Sequence, residues 1–94
     1  MSKDEIFIEK LLELGLTEDI RESNIRRFER GNYPTDHDLH MWVEVGGGWV
    51  SIMGTDDEIF VKDHDRAYLY IHRAVTKNMN FDWACGEILL EEQR

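Results

Sequence analysis

Asp36, His37, Asp38 and His40 form the densest run of potential metal ligands in the chain. Zinc needs a tetrahedral set of converging ligands, held in turn by their own hydrogen bonds. Here the two histidines fall where a turn enters a strand, so their rings are expected to face different ways. No segment has the EF-hand order of alternating Asp or Asn ligands, a bend glycine and a closing glutamate. Cys85, with His64 or His72 as base, offers a second chemistry, that of a thiolate nucleophile. It falls, however, on the apolar stripe of an amphipathic helix, where cysteine acts as a small hydrophobe. Ser51 lies mid-strand, without the strand-to-helix elbow of a hydrolase serine. The glycines 46 to 48 lead into a strand, not a helix N-terminus, and so lack the amides that cradle a phosphate. The expectation is therefore no enzyme, no metal and no cofactor.

Charge is the stronger signal. Twenty acidic against eleven basic side chains give a net charge of −9. Residues 31–65 hold eight acids (Asp36, Asp38, Glu44, Asp56, Asp57, Glu58, Asp63 and Asp65) against Lys62 alone, and so carry −7 of it. That balance argues against direct contact with nucleic acid or an anionic membrane, because phosphate neutralisation needs a surplus of Lys and Arg. It suits a basic protein partner, which an acidic surface steers toward itself.

The elements that must position these charges follow from periodicity. Ser2 and Glu5 form a capping box, and Phe7, Ile8, Leu11, Leu12 and Leu14 have helical spacing up to Gly15, which predicts a helix over 3–14. Thr17 followed by Glu18 and Asp19, with Arg26, Arg27 and Arg30 before Gly31, predicts a second helix by dipole logic. Its apolar face (Ile20, Ile25 and Phe28) is thin, and Ser23 and Asn24 are poor helix formers. After the turn-rich stretch Asn32 to Asp36 the period becomes two: Leu39, Met41, Val43 and Val45 point one way. The triple glycine then makes a hairpin, in a two-residue register that pairs Val and Ile with each other. A short strand over 58–62 completes a three-stranded meander. Asp63 caps a helix reaching about Asn78, with Tyr68, Ile71, Val75 and Met79 as its stripe. Asp82 caps a last helix with Phe81, Ala84, Cys85, Ile88 and Leu89 inward. The predicted fold is α+β, with two N-terminal helices, a three-stranded antiparallel β-meander and two C-terminal helices.

Antiparallel pairing brings the start of the first strand beside the end of the second, so Asp36 and Asp38 should lie near Asp56, Asp57 and Glu58. The sheet face opposite the aliphatic one carries Trp42, Trp49, Met53 and Phe60 beside His40 and Glu44. Helices are expected to cover both faces or wrap an edge. An open aromatic row is the alternative, and it has the composition of an interface hot spot.

Ninety-four residues, 41% of them hydrophobic, suffice for one core in a single domain over 1–94. No apolar run is long enough to span a bilayer, and Ser2, Lys3, Asp4 and Glu5 do not resemble a secretion signal. The single cysteine has no internal disulfide partner, so a reducing cytoplasm is expected.

Helix, three-stranded sheet, helix is also the order of a double-stranded RNA-binding domain, which the charge rules out. In order of elements, size and acidity the chain resembles small phage-encoded inhibitors such as some anti-CRISPR proteins. It resembles immunity proteins and antitoxins for the same physical reason. The resemblance implies an inhibitor that sets carboxylates where a basic, nucleic-acid-binding partner expects phosphates. Asp36, Asp38, Asp56, Asp57 and Glu58 are the expected charged contact, with Trp42 or Trp49 as anchor. Carboxylates two apart on a strand sit about 6.6 Å from each other, close to two base-pair rises along DNA. The alternative is an interaction module that forms a homodimer through the aromatic sheet face; a monomer fits either reading.

Overall fold

The computed structural model describes residues 2–20, 24–31 and 38–94. The chain is α+β, with α1 (Lys3–Glu13), β1 (Thr17–Asp19), β2 (Arg26–Arg30), β3 (Met41–Gly46), β4 (Trp49–Met53), β5 (Glu58–Val61), α2 (His64–Thr76) and α3 (Phe81–Glu92). The strands form one antiparallel five-stranded sheet in the order β1-β2-β3-β4-β5.

This corrects the predicted two N-terminal helices and three-stranded meander. The segment read as a second helix supplies β1 and β2, so the described residues hold three helices and five strands. Had residues 17–31 been helical, Ile20 and Ile25 would share the burial with Phe28. Instead Ile20 is 90% exposed and Phe28 is fully buried. Phe28 lies opposite Val43, flanked on its own face by Arg26 and Arg30. Weak helix propensity around Ser23 and Asn24 yields to a ladder of backbone bonds with β3, a tertiary override of local dipole signals.

Elsewhere the local signals prevail. Ser2 caps α1: its Oγ accepts the Glu5 amide, and its hydroxyl donates to the Glu5 carboxylate. Gly15, at φ 97°, ends α1: the Leu16 amide bonds Leu11 O and the Gly15 amide bonds Leu12 O. At the hairpin Gly47 and Gly48 have φ of 60° and 84°, the two positive values of a type I′ turn. That turn sets Val43 opposite Ile52 and Val45 opposite Val50, and β5 adds Ile59 beside Ile52 and Val61 beside Val50. Asp63 caps α2 by accepting the Asp65 and Arg66 amides. The inward stripe of α2 is Ala67, Tyr70, Ile71 and Ala74, with Tyr68, Val75 and Met79 only partly buried at its margin. The cap of α3 is Asn80, not Asp82.

Helices α1 and α2 pack on the aliphatic sheet face and α3 packs chiefly against α2, so that Phe7, Leu11, Ile71, Ala74, Phe81 and Ile88 share one core with Phe28, Met41, Val43, Val45, Val50 and Ile52. Among the described residues no helix covers the other face, against the expectation of helices on both faces or round an edge. Trp42, Trp49, Met53 and Phe60 line the other face, and Trp49 and Phe60 remain 48% and 67% exposed. Arg30 fastens β2 to the helical layer by donating to Met79 O at 2.8 Å and Ala74 O at 3.0 Å, at the C-terminal end of α2.

Phe28→Ala should destabilise the fold by about 3–5 kcal/mol, while Ile20→Ala should stay within about 0.5 kcal/mol of the parent in urea denaturation. Equal costs at the two positions would restore the helical reading of the segment.

Candidate functional site

Three pieces of chain meet at one end of the sheet: Asp38 to His40 entering β3, the turn Gly54 to Asp57 joining β4 to β5, and the first turn of α3. Asn80 joins them. Its Oδ1 accepts the Asp82 amide at 2.8 Å as the cap of α3, and its Nδ2 donates to Asp38 O at 2.7 Å and to Thr55 Oγ1 at 3.0 Å. Asp82 reaches across to accept the Asp56 amide at 3.2 Å. The approach is close at Gly54, where an added Cβ would lie 3.0 Å from Asp82 Oδ1 and 3.2 Å from a Phe81 ring carbon. A side chain at Gly54 would press on the Asp82 carboxylate and the Phe81 ring, which would have to shift.

The structure thus brings Asp38, Asp56, Asp57 and Asp82 to one end. Burial raises the pKa of the Asp82 carboxyl above its ordinary value, and the Asp57 and Asp56 charges add to the rise, partly offset by the Asp56 amide. Glu58 turns onto the open sheet face, where it accepts from Ser51 Oγ at 3.1 Å. Asp36 lies outside the described residues. Elsewhere carboxylates are answered by the chain's own cations: Glu18 by Arg26 at 2.6 Å, Glu92 by Arg66, Glu87 and Glu91 by Arg73, and Glu87 also by Lys77 at 2.7 Å. Those contacts lower the pKa of Glu18, Glu87, Glu91 and Glu92. No Lys or Arg occurs in residues 31–61 or 78–93, the stretches that supply the acidic end.

The two expected anchors fare differently. Trp42 lies near the acidic end, one strand from Met53 and two from Glu58, but the Arg27 guanidinium covers its ring at 3.5 Å and His40 meets its edge at 4.7 Å. Trp49 sits at the far end of the sheet, with the Lys62 ammonium 5.3 Å from its ring. An aromatic side chain that is open is Trp83, 75% exposed and one position after Asp82 in the first turn of α3. Two residues were thus missed from sequence. The signal for Trp83 was its place off the stripe of Phe81, Ala84, Cys85 and Ile88. Asp82 was masked by its reading as a cap.

Among the described residues no group of three or more His, Cys, Asp or Glu is placed to hold a metal ion. His40 is turned to Glu29 at 2.8 Å and His64 to Asp4 at 2.6 Å; His37 lies outside the described residues. Burial pushes the Cys85 thiol up to about 11, the Asp82 charge reinforcing it, which disfavours the thiolate a nucleophile needs. Also among the described residues, no helix is long and apolar enough to cross a membrane. A cavity of about 590 Å³ opens at the opposite end of the sheet, lined by Lys3, Lys10 and Lys62, by Asp63, His64 and Asp65, and by Ile6 and Phe7. Acids and bases are mixed there, unlike at the end built from Asp38, Asp56, Asp57 and Asp82.

Comparison with protein-family models, with curated proteins and with solved structures finds no match for this chain.

If Asp56 and Asp57 crowd Asp82, then Asp56→Asn with Asp57→Asn should lower the Asp82 midpoint in a carboxyl-carbon NMR titration, because two repelling charges go while the Asp56 amide stays. An unmoved midpoint would show that the turn and α3 are not in electrostatic contact.

Proposed function

We propose that this protein is a binding protein, not an enzyme, and acts as an inhibitor: an acidic surface that occupies the nucleic-acid site of a basic partner. The observation that carries this reading is the concentration of Asp38, Asp56, Asp57 and Asp82 at one end of the sheet, built from stretches without a single Lys or Arg. Repelling carboxylates held together cost stability that a partner's Lys and Arg would return. Trp83, exposed one position after Asp82, supplies the large amphipathic side chain that anchors interfaces, and in this reading it replaces Trp42 and Trp49 in that role. Glu58 lies at the margin, on the open sheet face. An immunity protein or antitoxin that blocks a nuclease would use the same chemistry, and a cytoplasmic setting suits either.

The test is capture of proteins from nuclease-treated host lysate on the immobilised chain, followed by kinetics with the retained partner. A short duplex of DNA or RNA should compete for the partner. Asp56→Asn with Asp57→Asn should slow association about tenfold at low salt and much less at high salt. Trp83→Ala should instead speed dissociation, by about thirtyfold if the ring is a buried anchor. A partner that ignores the duplex and binds the double Asn variant as fast as the parent at both salts would refute the reading.

A further inference from the structure

The sheet has two edges of opposite character. The β1 edge is Thr17, Glu18 and Asp19, which would set acid against acid if it paired with its own copy. The β5 edge is Glu58, Ile59, Phe60 and Val61, with Lys62 in the bend that follows, so opposite charges flank Phe60 two positions to either side. Among the described residues β5 pairs with β4 alone.

The backbone of β5 is set for a further strand. Opposed residues in an antiparallel ladder alternate between exchanging both hydrogen bonds and exchanging none. The Gly54 amide bonds Asp57 O at 2.9 Å, which fixes the phase. The pairs Ile52–Ile59 and Val50–Val61 are then the bonded ones, and the amide and carbonyl groups of Glu58 and Phe60 turn to the outer edge. Phe60 is 67% exposed there, and Ile59 and Val61, on the core side, are only partly buried.

We infer that a second copy of this chain pairs with β5 antiparallel about a two-fold axis through Phe60. In that register Phe60 meets Phe60 of the other copy as a bonded pair, Glu58 meets Lys62 at both ends, and Ile59 meets Val61 on the core side. Every pair is complementary in charge or in apolar character. The strand ends at Val61 and the chain bends at Lys62 before Asp63 caps α2, so pairing stops before Asp57 would meet Asp63. The two Glu58–Lys62 pairs give this edge a local charge complementarity in a chain of net charge −9. The product is an isologous dimer with one continuous antiparallel sheet, its helices on one side and its aromatic face on the other.

Sedimentation equilibrium of the full chain, from low micromolar to millimolar concentration, tests this. The parent should approach twice the 11.2 kDa of one chain as concentration rises. Lys62→Glu sets acid against Glu58 at both ends and should raise the dimer dissociation constant about tenfold or more. Adding Glu58→Lys restores the pairing in reverse and should return the constant to within about threefold of the parent. Circular dichroism reports whether each variant folds; if Lys62→Glu does not, Glu58→Lys alone sets lysine against lysine and gives the same test. Trp83→Ala should leave the dimer intact. A parent of single-chain mass throughout, a dimer indifferent to Lys62→Glu, or one lost in Trp83→Ala would overturn the inference.

Discussion

The whole arrangement depends on a sheet with only one dry face. Alternate residues of β2, β3 and β4 put Phe28, Met41, Val43, Val45, Val50 and Ile52 on a single side, and three helices close over it. Each helix then needs just one apolar stripe, so its remaining surface can carry charge. The other sheet face has no such cover among the described residues, which leaves Trp49 and Phe60 in water and Trp42 under a guanidinium. Phe28 brings β2 into the layer, and Arg30 ties that strand to the carbonyls ending α2.

Charge follows the same division. On the helical layer, carboxylates of α3 meet arginines of α2, so a strongly acidic surface is locally neutral there. At the sheet end the turn and the first helical turn of α3 are pressed together by the close approach at Gly54, and their acids share space without a cation from either stretch. Asp82 sits where a helix dipole favours an anion, yet burial and the neighbouring acids outweigh that and raise its pKa.

Much of this was legible in the sequence. Caps at Ser2 and Asp63, the Gly15 stop and the type I′ glycines are local signals with local causes, and the structure keeps each of them. The segment 17–31 was not legible, because its strand alternation is written in arginines. Arg26 and Arg30 share the face of Phe28: Arg30 reaches into the helical layer, and Arg26, more exposed, sets its guanidinium 5.6 Å from the Phe28 ring. Read by charge, the same residues suit the C-terminal end of a helix, and Arg30 does bond the end of a helix, but that helix is α2, more than forty positions further along the chain. The meeting of Asp38 with Asp56 and Asp57 was predictable from antiparallel pairing. The arrival of Asp82 and Trp83 was not, since it depends on where α3 docks.

The central claim is that residues 26–30 form a strand that extends the sheet while its outer face stays in water. Beside β3, the non-bonded pairs Glu29–Trp42 and Arg27–Glu44 bring their α-carbons to about 4.5 Å, close enough for strong contacts between α-protons. Nuclear Overhauser spectroscopy of the native chain measures this directly. Strong α-proton cross-peaks between Glu29 and Trp42 and between Arg27 and Glu44 are the predicted result. Their absence, together with consecutive amide-to-amide cross-peaks through residues 26–30, would mean that the segment is helical and that the account of the sheet is wrong.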